Sequence, residues 1–143
     1  MSDANGGLAK VEIGYAVHFS KTVGESDVYL FAGITGDLYA NHVNEEHMKN
    51  TPYGRRIAHG ALLVGYMSGA STKFLEKTGI FPAVSYGFDR VRFVRAVCIG
   101  DTITVEYKVA EKLPEKAQSL AQVTVTNQRG EVVAAATHLM TYL

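Results

Sequence analysis

The chain has one cysteine, Cys98, so no disulfide can form within it. A small secreted scaffold held by disulfides is excluded, and a reducing compartment fits. It has no charge excess of either sign, since 14 Lys plus Arg balance 14 Asp plus Glu. It therefore lacks the basic surplus with which nucleic-acid binders meet phosphate. It has no apolar run of membrane-spanning length. The longest uncharged stretch, Ile57 to Thr72, contains His59, Ser68 and several glycines and falls short of the roughly 20 residues a span requires. The opening MSDANGGLAK is polar and glycine-rich, without the apolar region of a secretory signal. Internal repeats and low-complexity tracts are absent. These absences point to a cytoplasmic protein with neither nucleic acid nor membrane as a partner.

What is present is ordinary for a folded domain: 143 residues, 47% hydrophobic and 20% charged. At that length folding buries roughly 68% of the unfolded surface, so one domain over residues 1–143 is expected, frayed over 1–10. Alternation of Val17, Phe19, Lys21 and Val23 predicts a strand over Ala16–Val23. Glu25, Ser26 and Asp27 open a helix that Gly36 ends. The stretch from Asp37 to Arg56 is irregular, with a short helix at Asn44–Asn50 capped by Asn44. Ile57–Lys77 is the longest helical segment. Apolar or small on every side over its first part, it is expected to be buried almost all round, with Gly79 as its C-cap. The Gly65-x-x-x-Gly69 spacing reads as close packing against a sheet. Four strands follow: Val84–Val94, Thr102–Val109, Ala121–Thr126 and Val132–Tyr142, with LPEK (113–116) as a hairpin loop. One strand, a helical insertion and four strands define an α+β fold, an antiparallel sheet of about five strands wrapping a long central helix.

Unusual polar residues concentrate in GDLYANHVNEEHMKNTPYGRRIAHG, residues 36–60. Asp37 and His42 are close in the chain. A carboxylate beside an imidazole can fix its tautomer for general acid–base work, or the two are a turn aspartate and a structural histidine. His59-Gly60 enters the central helix, where backbone amides lack partners and glycine admits close approach. The Gly60 amide can meet a carbonyl oxygen gaining negative charge, or the glycine only eases helix–sheet packing. Ser68 is either a supporting donor or a core serine bonded to its own helix. Arg92 and Arg95 either meet phosphates or are solvated, and Arg55-Arg56 offer the same choice or cap a carbonyl. His18, His42, His47, His59 and His138 show no zinc spacing, so no metal is expected. Cys98, between Val97 and Ile99, reads as a buried inert thiol.

The run FAGITGDLYANHVNEE…YGRRIAHGALLVGYMS resembles the hydratase motif of the MaoC-like (R)-specific enoyl-CoA hydratases. VRFVRAVCIGDTI resembles that family's third-strand segment. The resemblance implies a hot-dog fold, with the family's catalytic Asp and His on Asp37 and His42, its oxyanion-hole glycine on Gly60 and its helix serine on Ser68. It also implies an acyl-CoA or acyl-carrier-protein thioester as substrate, no cofactor, and a homodimer with the acyl pocket at the interface. Where the family has Asn-Pro between Asp and His, this chain has Tyr39-Ala40, followed by Asn41. Tyr39, Asn41, His59, Ser68, Arg92 and Arg95 are the expected substrate contacts. Two other functions stay open. A hot-dog thioesterase needs a carboxylate on the central helix, and none lies between Ile57 and Lys73. A non-catalytic acyl-CoA binder has no use for a charged dyad.

Overall fold

A computed structural model describes residues 4–143 of the chain. The five strands are β1 (Ala16–Thr22), β2 (Ala83–Phe93), β3 (Thr102–Leu113), β4 (Gln118–Thr126) and β5 (Val132–Tyr142). They form one antiparallel sheet in the order β1-β3-β4-β5-β2. In β3 the apolar alternation is complete: Ile103, Val105, Tyr107 and Val109 are all buried. Ala121, Val123 and Val125 of β4 and Val133, Ala134, Ala136 and Met140 of β5 extend that floor. Met67, Ala70 and Phe74 of the long helix α5 (Gly60–Thr78) pack onto it, each fully buried. A sheet wrapped round one helix is the hot-dog arrangement, as the resemblance implies.

The helical insertion follows its local signals closely. Helix α2 (Glu25–Thr35) starts where the Asp27 carboxylate accepts the Gly24 N–H at 2.8 Å. It stops at Gly36, whose φ of 80° favours glycine and whose N–H bonds the Ala32 carbonyl at 2.9 Å. Asn44 caps the short helix α4 (Glu45–Met48) by accepting the His47 N–H at 3.0 Å. A further one-turn helix, α3 (Ala40–Val43), precedes it and carries His42.

Four expectations need correction. Residues 4–9 are helical (α1, Ala4–Ala9), and Leu8 and Val11 are buried, so this stretch is packed rather than frayed; residues 1–3 lie outside the described part. The central helix begins at Gly60, three residues later than expected. Residues 57–59 are committed to a distant partner, because Ile57 bridges Cys98 and the Ala58 N–H bonds the Val97 carbonyl at 2.7 Å. That helix is not buried all round. Ala61, Gly65, Ser68 and Thr72, spaced at helical intervals, face outward on the isolated chain. Cys98 is half-buried.

One buried polar relay crosses the sheet. His138, fully buried, has Nδ1 2.8 Å from the Tyr107 hydroxyl and Nε2 2.8 Å from Ser85 Oγ. Both partners are hydroxyls, which donate or accept, so the neutral imidazole donates from one nitrogen and accepts at the other and both are satisfied within the fold. Burial pushes the His138 pKa down from 6.5 to about 4. The unfolded chain therefore binds an extra proton between those values. The stability contributed by the neutral imidazole is complete above pH 6.5 and is lost as pH falls to about 4, roughly 3 kcal/mol in all. Urea unfolding at pH 7 and pH 4.5 should show this loss, and His138→Gln should flatten the slope. Identical pH slopes for both proteins would contradict the relay.

Candidate active site

The end of α2, helix α3 and the start of α5 converge on one place. The His42 ring is buried at 8% exposure, and its Nδ1 lies 2.8 Å from the Ile57 carbonyl. A carbonyl only accepts, so Nδ1 carries the proton and Nε2 presents its lone pair. The backbone repeats the contact, since the Ile57 N–H donates to the Asn41 carbonyl at 3.0 Å. His59, the N-cap residue of α5, is 1% exposed and stacks on His42 with ring centroids 3.7 Å apart and planes 22° from parallel. Phe31 of α2 packs on its ring, with centroids 4.7 Å apart. His59 Nε2–H donates to the backbone carbonyl of Asp37 at 2.9 Å, leaving its buried Nδ1 without a partner.

These two imidazole-to-carbonyl bonds bring the expected dyad together. A carboxylate oxygen of Asp37 and ring nitrogens of His42 and His59 lie within 4.8 Å of one another. Asp37 itself is exposed on the isolated chain. Although Asp, His and His are metal-ligand types, this arrangement does not converge on an ion. Stacked, nearly parallel imidazoles send their in-plane lone pairs side by side, whereas a tetrahedral centre needs them to meet at about 2.0–2.1 Å. A carboxylate and an imidazole this close can instead exchange protons.

Gly60 is the first residue of α5, so its N–H has no acceptor within the helix. It lines a cavity of about 380 Å³ shared with Asn41, His42, Tyr53, Phe93 and Arg95. A Cβ at Gly60 would fall 2.5 Å from two carbons of the Phe93 ring. Within this chain Gly60 therefore packs against Phe93 of β2, a half-exposed aromatic side chain, which is the helix–sheet packing alternative offered by the sequence.

The other expected contacts divide. Asn41 and Arg95 lie on the cavity wall; the Asn41 Oδ1 is buried without a partner, and Arg95 pairs with Glu131 at 3.2 Å. Tyr39 is 72% exposed at the start of α3. His59 has its Nε2 bonded to the Asp37 backbone. Ser68 is exposed, and the core-serine alternative is overturned: its carbonyl, not its hydroxyl, is bonded, accepting Ser71 Oγ at 2.7 Å. Arg92 is exposed on β2 and turned back onto the Val91 carbonyl at 2.7 Å. Arg55 lies 3.8 Å from Asp101. Arg56 binds the carboxylates of Glu25 and Glu45 and is neither solvated nor capping a carbonyl. Sequence reasoning also missed Phe93, which nothing in its strand alternation singles out, and the Ile57 carbonyl, which as a backbone atom leaves no sequence signal.

The MaoC like domain matches residues 9–132, and the chain belongs to that family. It is 37% identical over 106 residues to a Rhodospirillum rubrum protein named (R)-specific enoyl-CoA hydratase, covering 74% of this chain and 71% of the relative. It is 35% identical over 109 residues to a 3-hydroxybutyryl-CoA dehydratase of Methylorubrum extorquens, covering 76% and 67% respectively. Among solved structures, an Archaeoglobus protein described as a monoamine oxidase regulatory protein superposes with a TM-score of 0.83 at 31% identity, covering 92% of this chain and 90% of that one. An R-hydratase from Pseudomonas aeruginosa in unliganded form superposes with a TM-score of 0.79 at 28% identity, covering 94% and 83%.

Proposed function

We propose that this chain is a hydro-lyase that reversibly adds water to a trans-2-enoyl thioester of coenzyme A or an acyl carrier protein, giving the (R)-3-hydroxyacyl thioester. The observation that carries the reading is the approach of Asp37 to His42 beside the unpaired first amide of α5. Hydration needs a base to take a proton from water as its oxygen bonds C3, and an acid to deliver a proton to C2. It also needs donors for the negative charge that gathers on the thioester oxygen. Asp37 and His42 supply the first two as one unit: the pair takes a proton from the water as its oxygen bonds C3, then delivers that proton to C2, so both groups end in the protonation state in which they began. The Gly60 N–H meets the oxygen where the positive end of the helix dipole reinforces it. Proton transfer contributes about 10²–10⁴ in rate per group, and one oxyanion donor about 10²–10³. A thioester-activated alkene needs no more.

The homodimer is part of the same proposal. Edge strand β2 exposes Val84, Tyr86 and Phe93, and nearby Phe81 is 91% exposed. An unpaired edge flanked by large apolar residues is a surface that two-fold pairing covers. Light scattering at micromolar concentration should return a dimer mass; a monomer would contradict this part of the reading.

Asp37→Asn and His42→Ala should each lower turnover of crotonyl-CoA by at least about 10²-fold in folded protein, the double change costing little more than the worse single one. Gly60→Ala should lower both activity and stability, because its methyl meets Phe93. Adding Phe93→Ala should restore stability but not the rate if the amide serves the thioester oxygen. Near-wild-type hydration by either folded dyad variant would refute the assignment. Release of free thiol from a saturated acyl-CoA would favour a thioesterase instead.

A further inference from the structure

Arg56 lies one residue before Ile57, the residue whose carbonyl holds His42. Its side chain is only 16% exposed and is engaged on three sides. Nε donates to Glu45 at 2.6 Å, and Nη1 donates to Glu25 at 2.9 Å and to the Tyr29 hydroxyl. The guanidinium carbon lies 5.6 Å from the Tyr29 ring centroid. Glu25 opens α2, Tyr29 lies one turn on, and Glu45 opens α4. The segment carrying Asp37 and His42 is strung between those two helices, so one guanidinium grips the elements on both sides of it. The hydrogen bond from Arg56 also holds the Glu25 carboxyl below the usual carboxylate range, so the pair stays charged near neutrality.

We propose that Arg56 is a positioning residue for the dyad. By tying the chain just before Ile57 to α2 and α4, it fixes the Ile57 carbonyl and, through it, the tautomer and direction of His42. Magnitudes favour a geometric over a stabilising role. The side chains of Glu25 and Glu45 are 55% and 50% exposed, and ion pairs this open to water contribute little to stability. A small displacement of a proton-transfer group, by contrast, is felt strongly in rate. The planar fork is essential, because a lysine ammonium cannot direct separate donors at both carboxylates and stack on Tyr29.

The kinetic part of the test rests on the proposed hydration; the spectroscopic part does not. Imidazole ¹⁵N–¹H correlation spectra of the full chain should show His42 as the single Nδ1–H tautomer. Arg56→Gln, and separately Glu25→Gln with Glu45→Gln, should each give a mixture of tautomers. With crotonyl-CoA, kcat should fall about 10-fold in these variants while KM stays within about twofold. Arg56→Lys should not rescue the rate, and Arg56→Gln combined with both glutamate changes should be no worse than Arg56→Gln alone. If Arg56→Gln does not fold, Glu45→Gln gives the same readings at smaller size. An unmoved His42 tautomer in folded variants overturns the proposal whatever the rate does, as does a rise in KM with kcat intact. A tautomer that shifts in a protein unable to hydrate enoyl thioesters leaves the positioning role standing and refutes the reaction.

Discussion

The hydrogen bond from His42 Nδ1 to the Ile57 carbonyl is the contact on which the site depends. It sets which imidazole nitrogen carries the proton, aims the other nitrogen, and joins the irregular segment after α2 to the entrance of α5. A backbone carbonyl in this place accepts but cannot donate, so the tautomer is decided without a second titrating group. The second bond, from His59 Nε2 to the Asp37 carbonyl, anchors the backbone of the other member of the proposed dyad. It also explains a histidine immediately before the helix. That imidazole stacks under His42, packs against Phe31 and holds the loop, and its contacts with Asp37 are to the backbone.

Sheet and helix make those contacts rigid. Ile57 and Ala58 do not begin the helix because they pair with Cys98 and Val97, and this pairing anchors the carbonyl that His42 uses. Gly60 then starts α5 against the cavity, while Met67, Ala70 and Phe74 lie on the face of the helix buried against the sheet, chiefly on β1 and β3. Helix α5 thus has two roles. Its buried face is the centre of the core, and its first turn supplies an amide that no helical carbonyl can reach. An oxyanion site placed here needs no reorganisation when charge develops.

Features governed by neighbours in sequence were legible before the structure. The alternation of Ile103, Val105, Tyr107 and Val109, the Asn44 cap and the Gly36 and Gly79 stops each depend on a few adjacent residues. That Asp37 and His42 lie together was legible because the motif keeps them close in the chain, and that Gly60 stands at a helix start because it follows His59 there. What escaped depends on distant pairing. The start of α5 moved because Ile57 meets Cys98. The partners of Arg56 lie in α2 and α4, and charge pattern alone does not name them. The His138 relay joins β2, β3 and β5. The outward placement of Ser68 was hidden because an all-apolar or small helix does not reveal which face the sheet covers, and the outward face proved to be one built of small residues.

In the proposed reaction one water, held by Asp37 and His42 on one side of a planar enoyl group whose thioester oxygen rests on Gly60, adds to a single face. The most direct measurement is hydration of crotonyl-CoA in deuterium oxide, with the configuration at C2 and C3 read by NMR and by stereospecific dehydrogenases. The account predicts only (R)-3-hydroxybutyryl-CoA, with hydroxyl and deuteron delivered to the same face. An (S) product, a racemate, or deuterium on the face opposite the hydroxyl would contradict it.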